Sequence, residues 1–405
     1  MAQHWLNRER LRLYSLGCLI VYLGWVCILV GRSHGGIDPS GKPLGFDFIA
    51  FWGASRLALA GHAVGAYDLH TLLLAQRAAL PGLGEGLLGP WQYPPTFFLL
   101  VLPLGLMPYF VAYFCFVGAT FIAFALVMRR ILAVEGLAAR TMWLPLLGFP
   151  AVMINAFEGQ NGFLTASLMG LALLLLPTRP ACGGMMMGLL AVKPHLGLLL
   201  PLALLCGGQW RALLYAAFSA SGFLALSVAV LGGDTLLAFF DRLPQVADWV
   251  ARGEMPLVKM PTFFAFARLL GLPVQGAYLV HALGALLAAL GVGWVWRNCV
   301  DWALRSAALL VATLLISPYL FDYDLVWLAP ALAWFTGYAM RRGWLSWERE
   351  FLVLVWVLPL ISMLSGQFLH LQPAAPVLSG FLLLILRRVK NEMADGVVNL
   401  ASQGN

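Results

Sequence analysis

The sequence predicts an all-α fold, a polytopic bundle of transmembrane helices. Three observations carry this. Hydrophobic residues make up 61% of the 405-residue chain and charged residues only 11%, with a mean hydropathy of +0.85; a soluble domain carries roughly 25% charged residues. The apolar runs are long and unbroken, as at 13–30 and 351–364. A closed barrel, the other structure that satisfies its backbone in lipid, would instead alternate apolar and polar residues over runs of about ten.

The formal net charge is +7. Such an excess fits the Lys and Arg of cytoplasmic loops. No basic run is interleaved with exposed aromatics, so nucleic acid is not among the expected partners. Cys18, Cys27, Cys115, Cys182, Cys206 and Cys299 all fall in or beside apolar runs, without C-x-x-C spacing. They read as small packing residues rather than a disulfide framework or a metal site.

Arg8, Arg10 and Arg12 precede the first apolar run, 13–30. That run is long enough to span, at roughly 20 residues, and no small-residue cleavage site follows it. The expectation is an uncleaved anchor with a cytoplasmic N-terminus, leaving 31–95 as a first extracytoplasmic loop. Within it, 48–60 and 67–80 show near-helical spacing and end at Gly61 and Pro81, as interfacial helices would. Pro94-Pro95 suits a helix start, and Trp91 and Tyr93 suit an interface. Further spans are expected at 110–127, 182–206, 212–231, 274–296, 303–316, 325–338, 351–364 and 376–386; 143–155 and 163–176 flank a polar break and count as one or two more, and 96–107 is undecided. This makes ten or eleven crossings in one transmembrane domain, 1–390. A second polar loop is expected at 232–261, and a polar tail at 391–405.

Polar residues in so apolar a chain are the candidates for chemistry. Asp47 lies among aromatic residues, with Arg56 nine positions later. A carboxylate in such surroundings is poorly solvated and suited to taking up a proton; the plainer alternatives are helix capping or pairing with Arg56. Lys193-Pro194-His195 interrupts the run 182–206. A cation in mid-membrane costs roughly 3 kcal/mol and usually faces a functional cavity, and Pro194 opens the helix there. Recognition of an anionic group, a phosphate above all, is the functional reading; a snorkelling lysine at a loop end is the alternative. Glu158, Gln160 and Asn161 form a compact polar break that suits sugar hydroxyls, or a tight turn. Asp322 and Asp324 flank Tyr323 at another break. Two carboxylates without a third ligand make a weak divalent-metal signal, helix capping is the simpler reading, and no cofactor is implied. No P-loop, G-x-G-x-x-G or nucleophile elbow is present, so an activated substrate would arrive through the lipid.

Together these motifs resemble glycosyltransferase family 87, polytopic enzymes of the GT-C class. The match rests on Phe46-Asp47-Phe48, Phe51-Trp52, Arg56, Leu59-Ala60-Gly61, Tyr67-Asp68, Trp91-Gln92-Tyr93-Pro94-Pro95, Leu102-Pro103-Leu104, Gly159-Gln160-Asn161, Lys193-Pro194-His195 and Ser317-Pro318. The resemblance implies a polyprenyl-phosphate-linked sugar donor, often mannose, and a lipid or glycan acceptor. It implies transfer on the outer face of a bacterial-type plasma membrane, with Asp47 as base. Lys193, His195 and Arg56 would lie on the donor-phosphate side, and Trp52, Tyr93, Glu158, Gln160, Asn161, Asp322 and Asp324 would contact substrate. Where family members often carry a His soon after the Ser-Pro motif, this chain has Asp322-Tyr323-Asp324. The rival reading is a lipid or small-molecule transporter with a mid-membrane site around Lys193.

Overall fold

A computed structural model describes residues 5–84 and 89–403, with the backbone alone over 395–403. Helix α1 (Arg8–Arg32) begins where the Asn7 side chain accepts the Arg10 N–H at 2.8 Å. It is an apolar rod of which only Ser15 and Tyr22 are buried. The chain then turns around Asp38, whose Oδ1 accepts the backbone N–H groups of Ser40 and Lys42 at 2.8 and 2.9 Å.

Helices α2 (Phe48–Leu59) and α3 (Leu69–Ala79) follow, joined by a 3-10 turn, Ala63–Tyr67. Gly61, at φ +78°, turns the chain after α2, and Asp68 caps α3 by accepting the Thr71 N–H at 2.8 Å. Every residue from Phe48 to Ser55 is buried. So α2 is enclosed by protein over its first two turns rather than lying half in lipid. Helix α4 (Pro95–Val101) starts at the second proline and passes into a 3-10 turn, Leu102–Leu106. It is too short to cross alone. Its Thr96 hydroxyl donates to the Ala191 carbonyl at 2.8 Å, which keeps it at the Asp47 end of the bundle.

Helix α5 (Tyr109–Val134) crosses to the opposite end. Helices α6 (Ala139–Leu147) and α7 (Pro150–Glu158), stacked end to end, bring the chain back, and α8 (Gly162–Leu175) returns it. Helix α9 (Pro180–Gly188) continues through a 3-10 turn, Leu189–Val192, to Lys193. There the chain reverses into a second 3-10 turn, Pro194–Gly197, and α10 (Leu200–Cys206), followed by α11 (Trp210–Leu231). The reversal is read from packing: Gly184 abuts Ala212, and Gly188 abuts Ala216 and Ser219, so α9 and α11 run parallel. The stretch 182–206 therefore makes two passes where the sequence suggests one. Lys193 sits at a hairpin tip at the Asp47 end, not in the middle of a span.

The expected polar loop at 232–261 is mostly a helix, α12 (Gly233–Arg252), apolar along one face and charged along the other. Helices α13 (Phe263–Leu269), α14 (Val274–Asn298), α15 (Trp302–Ile316), α16 (Leu328–Arg342), α17 (Glu348–Leu369) and α18 (Ala374–Gln403) complete the chain. The expected polar tail is the continuation of α18. Among the described residues, α1, α5, α11, α14 and α17 are long and apolar enough to cross a membrane singly; shorter helices make the remaining passes. All of α15 from Ser306 to Leu315 is buried, as expected of a helix apolar on every side, and it forms the axis of the bundle. The six cysteines are free, and Cys27, Cys115 and Cys182 face outward rather than into the core.

The close approach of α9 to α11 gives a stability test. A Cβ on Gly188 would lie 2.4 Å from the Ala216 carbonyl oxygen, whereas one on Gly222 would meet nothing within 4 Å. Gly188→Val should cost about 1–3 kcal/mol or more by forcing the helices apart. Gly222→Ala should leave the unfolding midpoint in detergent unchanged.

Candidate active site

The chain's breaks meet at one end of the bundle. Gly159, in the left-handed conformation at φ +64°, ends α7. The Asn155 side chain closes the turn that follows, donating to the Gln160 carbonyl at 3.2 Å and accepting the Gly162 N–H at 2.8 Å. Only glycine fits at 162, where a Cβ would lie 2.4 Å from Asn155 Oδ1 and 2.9 Å from the Tyr323 carbonyl oxygen.

This turn presents Gln160 to Asp47. Gln160 Oε1 accepts the Tyr93 hydroxyl at 2.9 Å and the Asn161 N–H at 3.3 Å. With donors on its oxygen, the amide NH2 must point the other way, and Nε2 donates to Asp47 Oδ2 at 2.8 Å. Asp47 occupies the N-cap position of α2 but makes no capping hydrogen bond. Tyr93 is held in turn: its carbonyl accepts the Tyr67 hydroxyl at 2.7 Å, and its ring packs against Phe51, Trp91 and Phe97. Trp91, suited by sequence to an interface, is fully buried.

Beside this network lies a buried ion pair. Lys193 Nζ donates to Asp324 Oδ1 at 2.6 Å and to Asn161 Oδ1 at 3.4 Å, and stands 4.7 Å from the centre of the Tyr323 ring. The two charged side chains are 5% and 0% exposed. A second pair joins Lys259, in the loop after α12, to Glu158 at the end of α7. Asp322 is buried, and its Oδ1 accepts the Tyr323 N–H at 3.0 Å. Asp47 lies within electrostatic reach of Lys193, Lys259, Asp322 and Glu158. Carboxylates thus outnumber cations. Glu158 Oε2, Asn161 Nδ2 and His195 Nε2 are buried without a hydrogen-bond partner in the protein. Such groups are costly to bury unless something bonds them.

The sequence profile of glycosyltransferase family 87 matches residues 91–318, more than half of the chain. The chain belongs to glycosyltransferase family 87. It is accordingly a membrane glycosyltransferase. No curated protein and no solved structure matches it. The match takes in Tyr93, Glu158, Gln160, Asn161, Lys193, His195 and Lys259 but stops short of Asp47 on one side and of Asp322 and Asp324 on the other. Those three join the family-87 region through the fold.

Two candidates stay apart from this site. Nine residues after Asp47 is two and a half helical turns, so Arg56 emerges on the opposite face of α2. Its Nη1 donates to the Gly105 carbonyl at 3.1 Å, and its guanidinium lies 5.7 Å from the Trp52 ring. Trp52 is tied there too, with Nε1 donating to the Met107 carbonyl at 3.0 Å. Both line a separate cavity of about 510 Å³ with Leu106, Met107 and Pro108. The alternative reading, in which Asp47 pairs with Arg56, is therefore not met. Lys193, read as a site for an anionic group, is held by Asp324. Asn155 and Lys259 are the participants that sequence reading did not single out as site residues. A helical asparagine and one lysine in a charged stretch carry no local signal of what they meet across the fold.

Removing one member of the buried pair should be far worse than removing both. Lys193→Met leaves Asp324 unpaired and should cost about 3–5 kcal/mol. Combining it with Asp324→Leu should restore most of the loss of unfolding midpoint, whereas additive losses would show that the two side chains do not pair.

Proposed function

We propose that this family-87 enzyme moves a sugar, mannose being the one the resemblance favours, from a polyprenyl-phosphate donor to an acceptor hydroxyl, with inversion and with Asp47 as base. The hydrogen bond from Gln160 to Asp47 carries the reading. It comes from a neutral amide whose orientation two further donors fix, so the carboxylate is held in place without a cation competing for its charge. Among the described residues Asp47 forms no ion pair, which leaves its second oxygen to accept a proton.

In this mechanism the acceptor oxygen attacks the anomeric carbon as Asp47 takes its proton. The bond from that carbon to the donor's phosphate oxygen breaks on the opposite face, and polyprenyl phosphate departs. The buried Asn161 Nδ2 and His195 Nε2 are the groups at hand to bond substrate oxygens. Charge on the leaving phosphate calls for Lys193 or Lys259, and each would have to exchange its carboxylate partner for the phosphate. Glu158 and Asp322, in the carboxylate-rich part of the site, suit sugar or acceptor hydroxyls as hydrogen-bond acceptors. A donor arriving through lipid agrees with the absence of any phosphate-cradling motif in the sequence.

The distribution of charge supports an extracytoplasmic site. Arg129-Arg130, Arg341-Arg342 and Arg387-Arg388 gather at the end where α1 begins with Arg8, Arg10 and Arg12, away from Asp47. An excess of Lys and Arg marks the cytoplasmic side, and this supports the reading that Asp47 faces the outer side of a plasma membrane.

Purified enzyme with lipid-linked sugar tests the assignment. Asp47→Asn should lower kcat by about 10²–10⁴-fold, the usual range for a lost general base, with donor binding retained. Gln160→Leu should lower kcat with little change in KM and should displace the acidic limb of the pH–rate profile. Undiminished turnover by Asp47→Asn removes the base.

A further inference from the structure

A large cavity at the opposite end of the molecule, of about 830 Å³, plays no part in the chemistry above. Its size falls in the range of ligand-binding cavities, roughly 300–1,000 Å³. It runs between the first turns of α1 and the facing parts of α5, α6, α16 and α17. It exists because α1 meets the bundle closely at only a few points. At one of them Gly148 fits against the Ser15 backbone, where a Cβ would lie 2.5 Å from the Ser15 carbonyl oxygen. From that contact the cavity extends along α1 to Leu6.

The lining has a definite chemistry. Most of it is apolar, including Leu132, Phe149 and Leu332. Among the described residues, Arg8 and Arg349 are its cations, and no Asp or Glu lines it. The Arg349 guanidinium is braced 5.2 Å from the Trp344 ring, and Trp356 Nε1 is fixed on the Pro145 carbonyl at 3.0 Å. Tryptophan and arginine at helix ends beside an apolar floor belong at the headgroup boundary of a bilayer. A small soluble anion would leave the apolar wall uncovered, and a neutral hydrocarbon would leave both arginines unanswered.

We propose that this groove binds one anionic glycerophospholipid from the leaflet at the arginine-rich end. Its acyl chains lie between α1 and the bundle, and its phosphate sits between Arg8 and Arg349. The lipid fills the gap that protein side chains leave and fastens α1, the helix that leads into the loop before Asp47. The inference does not depend on the proposed reaction, because the groove lies at the other end of the molecule from Asp47.

The test uses full-length protein in detergent, stripped of lipid and titrated separately with phosphatidylglycerol, phosphatidylcholine and polyprenyl phosphate. Bound lipid is counted by native mass spectrometry, and the unfolding midpoint is followed in parallel. Phosphatidylglycerol should bind more tightly than phosphatidylcholine by roughly fivefold per arginine and should raise the midpoint. Arg8→Gln with Arg349→Gln should erase that preference. Thr336→Trp, which fills the groove, should prevent retention of phosphatidylglycerol. Equal binding of the two phospholipids overturns the proposal, as does a preference that survives loss of both arginines. Displacement of phosphatidylglycerol by polyprenyl phosphate would also overturn it, by giving the groove to a different lipid.

Discussion

The pairing of Lys193 with Asp324 is the constraint on which the Asp47 end of the bundle depends. A chain this apolar has little water inside to solvate a broken helix, so every interruption must find its polar partners in another interruption. The reversal at Lys193, the 3-10 turn at Asp322–Trp327 and the turn after α7 satisfy one another: Lys193 reaches Asp324 and Asn161, and lies against the face of Tyr323. A buried charge without its partner is costly. The three segments therefore hold their positions together, although 131 positions separate the two charged residues in the chain.

The network around Asp47 is laid on that frame. Asn161 contacts Lys193 through its side chain and Gln160 through its backbone N–H, so the ion pair and the carboxylate are three hydrogen bonds apart along one turn. Tyr93 approaches Gln160 from the other side, anchored in the aromatic cluster around Phe51 and Trp91. Asp47 itself is only half-buried, at the start of a helix whose next eight residues are buried. The arrangement is a fixed carboxylate at the margin of a hydrogen-bonded polar core, which suits the role proposed for it.

Much of this was legible in the sequence because it depends on local pattern. Uninterrupted apolar runs announced α1, α5, α11 and α14. Pro94-Pro95 announced the start of α4, and Gly61 the end of α2. The motif residues Asp47, Tyr93, Gln160, Asn161, Lys193 and Asp324 do come together. What failed was direction and partnership. The run 182–206 reads as a single apolar span because a reversal at Lys193-Pro194 leaves the same composition as a kink. The stretch 232–261 reads as a loop because its charges are conspicuous, while the alternating faces of α12 show only at helical periodicity. The separation of Arg56 from Asp47 follows from arithmetic, since nine residues of helix turn a side chain to the far face. The partner of Lys259, by contrast, is set by tertiary packing and leaves no trace in the residues beside it.

The turn-back at Lys193 also decides the parity of the whole chain. Because 182–206 goes out and returns, α18 finishes at the same end of the bundle from which α1 starts. A fluorescent or affinity fusion appended beyond either helix would consequently emerge in one and the same compartment. Had Lys193 merely bent a continuous span, the two fusions would have faced opposite compartments.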